Sequence, residues 1–209
     1  MRQLLRLQTL IDVVYGILLF RLFLFLPSPE VDGFGAKDLI YVLQNSYINY
    51  LAIVIGVIMI IVYWVQSNIQ FGYLQQTRTP HIIISILQVM FLLIYLYFVR
   101  LNLQFDNVLQ IDGVIILLQM QSIFLALSGL MSVAGWRYAV IHKLVTDSIS
   151  TEEKKNVYLR LMPEPIVSLL TFPFAYFGPE AWTASWLLLI PVTMISKRII
   201  NRNQTTMKN

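Results

Sequence analysis

The stretch from Arg6 to Leu24 reads RLQTLIDVVYGILLFRLFL, an apolar run interrupted by few charged side chains. At about 1.5 Å per residue, its length suits one helix across a bilayer. The charged residues are Arg6, Asp12 and Arg21. Because a charge at membrane depth costs several kcal/mol, each is expected to be paired, to face water or to serve a function. The stretch is therefore predicted to be a transmembrane helix whose charged side chains are paired, water-facing or functional.

The composition of the whole chain agrees with this reading. Of its 209 residues, 57% are hydrophobic and only 12% are charged, whereas soluble domains carry about 25% charged residues. A globule of this length cannot bury so much apolar surface, so lipid is its natural solvent. The composition predicts an integral membrane protein that has the lipid bilayer as a partner.

Six apolar segments are predicted to cross the bilayer as helices, which gives an all-α fold. They lie at about 7–27, 48–66, 81–100, 114–136, 165–180 and 183–197. The last two are short and share the break Phe177-Gly178-Pro179-Glu180. They form either a tight hairpin or one re-entrant segment, so the count is five or six spans and six fits better. With short loops throughout, residues 1–209 are predicted to be a single transmembrane domain.

The basic residues predict the orientation of these spans. With the N-terminus inside, twelve of the fifteen Lys and Arg residues fall in cytoplasmic stretches, as the positive-inside rule requires. Both termini are then cytoplasmic. Bases that alternate with apolar spans also argue against nucleic acid as a partner, because a DNA-binding face clusters them. The longest cytoplasmic loop, 137–163, contains Ser150 and Glu153 at capping-box spacing and is expected to include a short surface helix.

The sequence contains no pattern typical of catalysis or of metal binding. It has no cysteine and two histidines, His81 and His142, far apart. It lacks HExxH, GxSxG and glycine-rich phosphate-binding motifs. Asp12 has no second acid at matching depth, which disfavours an intramembrane hydrolase or a proton-coupled transporter. We therefore predict no enzyme activity, no cofactor and no metal.

The first helix contains the pattern Arg6-x-x-x-Leu10-Ile11-Asp12, followed by an aliphatic stretch. It resembles the opening helix of the transmembrane protein 175 family of potassium channels, whose signature is Arg-x-x-x-Phe-Ser-Asp. A second similarity is Trp64-Val-Gln-Ser-Asn at the end of the second span, where the family has Trp followed by Asn and His. The short loops and the prolines of the final hairpin are also similar to this family.

The resemblance implies a homotetramer whose first helices line a central pore for potassium or another monovalent ion. The signature residues map to Arg6 and Asp12, which with Trp64 would form a structural polar network near the cytoplasmic end. From the residues alone, Asp12 is open to a second reading as a buried polar group that only serves packing.

The resemblance also implies which side chains line the pore. The hydrophobic constriction maps to Ile17, and later turns of the same stripe map to Arg21 and Leu24 at spacings of four and three. Arg21 departs from the family, which has an aliphatic residue there. Four guanidinium groups around a tetramer axis would oppose the passage of cations. The signature Phe-Ser is likewise replaced, by Leu10-Ile11.

Two functions are therefore predicted as alternatives. The first is a passive potassium channel in a cell membrane, as a multi-pass protein of the prokaryotic plasma-membrane type. The second is a protein of the same layout that does not conduct potassium and that either passes anions through an Arg21 ring or acts as a sensor or scaffold. Three environments are open to Arg21: the lumen, the lipid headgroups reached by snorkelling, or a carboxylate of another helix or subunit.

Other residues are expected to serve packing. The tryptophans near predicted span ends are expected at the membrane interface; they are Trp64, Trp136, Trp182 and Trp186. Three glutamines within the predicted spans are expected either to hydrogen-bond between helices or to face a lumen; they are Gln88, Gln119 and Gln121. Small residues from Ser128 to Gly135 should give the fourth span a face for close helix packing.

Overall fold

The structure is a computed structural model that describes residues 2–24, 47–105 and 111–206. Within these ranges the chain is all-α. The helices, numbered in chain order, are α1 (Arg2–Phe23), α2 (Tyr47–Gly72), α3 (Thr79–Phe105), α4 (Ile111–Ile141), α5 (Thr151–Leu161), α6 (Pro163–Thr171), α7 (Pro179–Ser185) and α8 (Leu189–Thr206). A 3₁₀ segment, Phe172–Phe177, follows α6, and a shorter one, Trp186–Leu188, joins α7 to α8.

Five segments of the described chain are long and apolar enough to cross a membrane. They are Arg2–Leu22, Ile53–Gly72, Thr79–Leu103, Ile111–Ile141 and Pro179–Arg202. They overlap the first four predicted spans and the sixth, and residues 25–27 of the first predicted span lie outside the described ranges. The prediction of an all-α membrane protein is confirmed.

The predicted fifth span, 165–180, is not one regular helix. It corresponds to the nine residues of α6 followed by six residues of 3₁₀ helix, and Gly178 then turns the chain at a φ of 97°. At about 1.5 Å per α-helical residue and 2.0 Å per 3₁₀ residue, this segment extends about 25 Å, somewhat less than a hydrocarbon core of about 30 Å. Helix α8 packs back against α6, so the C-terminal region has the form of a hairpin.

Helix α4 lies at the centre of the bundle, where it packs along α3 and against α6. Its buried face includes the small residues Ser128 and Gly129. A Cβ atom added at Gly129 would lie 2.8 Å from Pro165 Cδ and 2.9 Å from the Tyr63 hydroxyl. Glycine at this position therefore allows α2, α4 and α6 to approach closely, as the small-residue pattern predicts.

Loops that the charge pattern assigns to one side of the membrane meet at one end of the bundle. The N–H of Gln75 donates to the carbonyl of Leu144, and the N–H of Thr146 donates to that of Tyr73, both at 2.9 Å. Helix α5 of the same loop begins with a capping box between Ser150 and Glu153, and it packs against α8. This arrangement is what the charge pattern requires, and the cytoplasmic assignment of this end stays a prediction.

Three of the four tryptophans expected at the membrane interface are buried inside the protein. The Nε1 of Trp182 donates to the Ser122 hydroxyl at 2.9 Å, and that of Trp136 donates to the Lys154 carbonyl at 3.0 Å; Trp186 is buried beside Trp182. Because their N–H groups reach partners within the bundle, Trp136 and Trp182 can be buried without a large desolvation cost.

Candidate functional site

One face of α1 is packed inside the protein. Large side chains at spacings of three and four residues are almost fully buried along it: Leu4, Leu7, Ile11, Tyr15, Leu18 and Leu22. This face lies against α2 and α3. The spacing is that of one stripe of an α-helix, so the whole length of α1 is held to the bundle by the same side.

A second apolar stripe runs along the outward side of α1. It consists of Leu10, Val13, Ile17, Phe20 and Leu24, which are 49–65% exposed, and we call it the α1 stripe. An amphipathic helix at a protein surface needs only one apolar face. The outward apolar face therefore requires a second cover, which is either lipid or another copy of the chain.

The predicted pore-lining residues lie on or beside the α1 stripe. Ile17 and Leu24 belong to it, and at 100° per residue Arg21 lies about 40° from Ile17 on one edge. Phe20 lies about 60° from Ile17 on the other side and is 64% exposed. The Arg21 side chain is exposed, and within residues 2–24, 47–105 and 111–206 no ion pair or hydrogen bond reaches it. As a cation in the last turn of α1, it interacts favourably with the helix dipole.

The structure brings together two of the three residues predicted to form a polar network. Trp64 Nε1 donates a hydrogen bond of 3.0 Å to Asp12 Oδ1, which joins α1 to α2. Arg6 is exposed and lies about 240° around the helix from Asp12, in line with the α1 stripe. Within one subunit, Asp12 and Trp64 therefore form a pair, and Arg6 is not part of it.

A buried polar cluster on the packed side of α1 was not predicted from the sequence. The Tyr15 hydroxyl lies 3.2 Å from Ser67 Oγ on α2 and accepts a hydrogen bond of 3.3 Å from Gln88 Nε2 on α3. The Gln88 carbonyl in turn accepts a hydrogen bond from the Ser128 hydroxyl on α4. We call Tyr15, Ser67, Gln88 and Ser128 the Tyr15 cluster. It settles one expectation, because Gln88 bonds between helices and is only 6% exposed.

Glu164 is a buried acidic residue to which the sequence analysis assigned no role. It lies at the start of α6, is only 3% exposed, and its Oε2 atom has no partner among the described residues. Gln66 on α2 interacts with its carboxyl group. Within the described ranges, no three His, Asp or Glu side chains group in a way that could hold a metal ion.

The fold is similar to that of solved potassium channels. The crystal structure of a lysosomal potassium-selective channel TMEM175 homologue from Chamaesiphon minutus matches with a TM-score of 0.75 and 15% identity, over 94% of this chain and 99% of that one. A variant of the potassium channel MtTMEM175, crystallised in complex with a nanobody fusion protein, matches with a TM-score of 0.64 and 19% identity, over 94% of this chain and 93% of that one. The chain has the TMEM175 fold.

This likeness is one of structure. No protein-family model matches the sequence, and no curated protein matches it. The resemblance seen in the first helix and around Trp64 therefore extends over almost the whole chain in three dimensions, although few residues are identical. The solved structures named above are ion channels, not enzymes, and they support a channel-like membrane protein.

Proposed function

We propose that the chain is one subunit of a homotetrameric, passive potassium channel of a cell membrane. Four α1 helices surround the pore, Ile17 forms a hydrophobic constriction, and Leu24 lines the pore farther along. The fold supports this proposal, because both TMEM175 structures to which the chain is similar are described as potassium channels.

The observation that carries the proposal is the α1 stripe. Its five side chains lie on the side of α1 opposite the packed face, so they point away from the body of the subunit. If four subunits meet at α1, these side chains converge on the axis and produce an apolar constriction that opens and closes by wetting. A stripe that faces lipid instead would leave the chain without a pore along α1.

Arg21 supports a second candidate function. Its exposed side chain lies on the edge of the α1 stripe, one turn beyond Ile17. If it points to the axis, four copies place four positive charges in the pore, which favours anions over potassium. This candidate is a channel of the same architecture that passes chloride.

Flux measurements on the chain in liposomes distinguish these functions. We expect potassium flux from the natural chain and a roughly tenfold higher flux from Arg21→Leu, because removing charge near a narrow pore lowers the barrier to cations. Arg100→Leu is the matched control, since Arg100 is an exposed arginine near the same predicted side of the membrane on α3. It should leave flux unchanged.

Each alternative result has a different meaning. Chloride flux that disappears in Arg21→Leu would favour the anion channel. Potassium flux that is equal in the natural chain and in Arg21→Leu would place Arg21 outside the lumen. No flux of either ion, before or after substitution, would contradict both candidates and leave a sensor or scaffold.

A further inference from the structure

We propose that Tyr15 is a positioning residue for the pore: its hydroxyl, held by Ser67 and Gln88, fixes the rotation of α1 that turns Ile17 toward the axis. The inference rests on the proposed function, because it assumes that α1 lines the pore. Its basis is the Tyr15 cluster, which fixes α1 to α2 and α3 by directional contacts.

The geometry places the anchor and the constriction on opposite sides of the same helical turn. Tyr15 and Ile17 are two residues apart, which is about 200° around the helix. Tyr15 is 1% exposed on the packed face, whereas Ile17 is 50% exposed on the outward face. A rotation of α1 that moves the Tyr15 hydroxyl away from its partners must therefore also move Ile17 across the outward face.

The hydrogen bonds are suited to this role because the rest of the packed face is aliphatic. Contacts between aliphatic side chains are non-directional, whereas a hydrogen bond weakens steeply when its angle departs from linear. In the cluster, Gln88 Nε2 donates to the Tyr15 oxygen, which leaves the Tyr15 O–H free to donate to Ser67 Oγ. This pattern is satisfied only when α1 has one rotation relative to α2 and α3.

The Tyr15 cluster is also attached to the central helix α4. The backbone carbonyl of Gln88 accepts the Ser128 hydroxyl at 3.0 Å, which ties the α3 side of the cluster to the central helix α4. Both Gln88 and Ser128 are buried, and Ser128 is fully inaccessible. The Tyr15 hydroxyl is therefore held to the part of the bundle with the most extensive helix packing.

Tyr63 provides a matched control. It is a fully buried tyrosine whose hydroxyl donates a hydrogen bond of 2.9 Å to the Leu125 carbonyl, so that it joins α2 to α4 and not α1. Tyr63→Phe and Tyr15→Phe each remove one buried hydroxyl and keep the ring. Both variants should therefore lose stability, and Tyr15→Phe somewhat more, because the Tyr15 hydroxyl has two partners and the Tyr63 hydroxyl has one. A change in pore geometry should occur only in Tyr15→Phe.

The test uses Ile17→Cys in the natural chain, which contains no cysteine. Two quantities are measured in liposomes. The first is the rate at which a charged methanethiosulfonate reagent modifies the thiol. The second is the ratio of potassium to sodium permeability, measured in the corresponding variants that keep Ile17. Tyr15→Phe removes both hydrogen bonds of the Tyr15 hydroxyl. We expect it to change the modification rate by at least about fivefold, because the loss of a single hydrogen bond already shifts the equilibrium between two orientations of α1 by about that factor. The permeability ratio should fall, and Tyr63→Phe should leave both quantities unchanged. Ser67→Ala should change both in the same direction as Tyr15→Phe.

The positioning role would be overturned by modification rates and permeability ratios that are the same in Tyr15→Phe, in Tyr63→Phe and in the parent protein, which has neither tyrosine substitution. The proposed channel function would still stand. If Tyr15→Phe does not fold, Ser67→Ala decides, because it removes one partner and keeps the tyrosine. A parent that conducts no ion and whose thiol at position 17 does not react would overturn the proposed function, and this inference with it.

Discussion

At the scale of single residues, the hydrogen bond between Asp12 and Trp64 joins two of the three residues that the family resemblance groups as a polar network. The sequence grouped them with Arg6 by resemblance to a family signature, and the structure joins the two at 3.0 Å. It places Arg6 on another side of α1, because six residues of a helix do not return to the same face. A linear signature therefore does not show which of its residues are in contact within a subunit.

We expect Asp12 and Trp64 to be energetically coupled and Arg6 to be independent of them within a subunit. In a double-mutant cycle with Asp12→Ala and Trp64→Phe, thermal unfolding should give a coupling of about 1 kcal/mol. Either single substitution already removes the shared hydrogen bond, so the double variant loses nothing further from it. The same cycle with Arg6→Ala and Asp12→Ala should be additive. Coupling between Arg6 and Asp12 would contradict this and would indicate a contact across a subunit boundary.

Tyr15 shows what residue-level reading cannot supply. Its partners Ser67 and Gln88 are 52 and 73 positions away in the chain, and nothing in the local sequence relates them. A tyrosine within a stripe of leucines and isoleucines is the only local signal, since a buried phenolic hydroxyl requires a partner. The signal indicates that a partner exists but not its identity.

At the scale of elements, two helical glycines differ in the space that surrounds them. Gly129 on α4 is pressed against Pro165 and Tyr63, whereas a Cβ at Gly16 on α1 would meet nothing within 4 Å. We expect Gly129→Ala to destabilise the protein by about 1–3 kcal/mol through overpacking. Gly16→Ala should stabilise it by up to about 1 kcal/mol, because alanine restricts the unfolded chain and favours helix.

Thermal unfolding of both variants in the same detergent checks this pair of predictions. The difference between the two changes in unfolding free energy is informative, because both variants add the same methyl group. Equal destabilisation by both substitutions would contradict the account for Gly16 and would mean that another subunit packs against it. Unchanged stability in Gly129→Ala would mean that α2, α4 and α6 can separate without cost.

The C-terminal hairpin shows why element boundaries were harder to predict than element positions. Hydropathy finds apolar segments but does not distinguish α from 3₁₀ helix, so the segment 165–180 was predicted as one span. Pro163 and Pro165 open α6, and Phe172–Phe177 continues it in tighter 3₁₀ form up to Gly178. The prolines and the glycine were visible in the sequence, whereas the tightening depends on packing against α4 and α7.

At the scale of the whole molecule, the class of protein could be predicted from composition, and the positions of most spans from the apolar runs along the chain. The choice between the two apolar faces of α1 could not. Both faces carry aliphatic side chains, among them Leu7, Ile11 and Leu18 on the packed face and Val13 and Ile17 on the outward face. In a bilayer, protein-facing and lipid-facing side chains are equally apolar, so only the fold shows which face is buried in the subunit.

If the α1 stripe lines the axis of a homotetramer, its residues in neighbouring subunits can be cross-linked. Around a fourfold axis, the same position of neighbouring subunits comes close together, and a disulfide forms where Cα atoms lie within about 7 Å. Ile17→Cys on the α1 stripe should therefore oxidise to covalent dimers within a complex whose mass is four times that of one chain. Ile58→Cys is the matched control, since Ile58 on α2 is 47% exposed against 50% for Ile17, and it should stay monomeric on a denaturing gel. No cross-linking of Ile17→Cys, or a complex of one chain, would mean that lipid covers the α1 stripe and that the pore does not lie along α1.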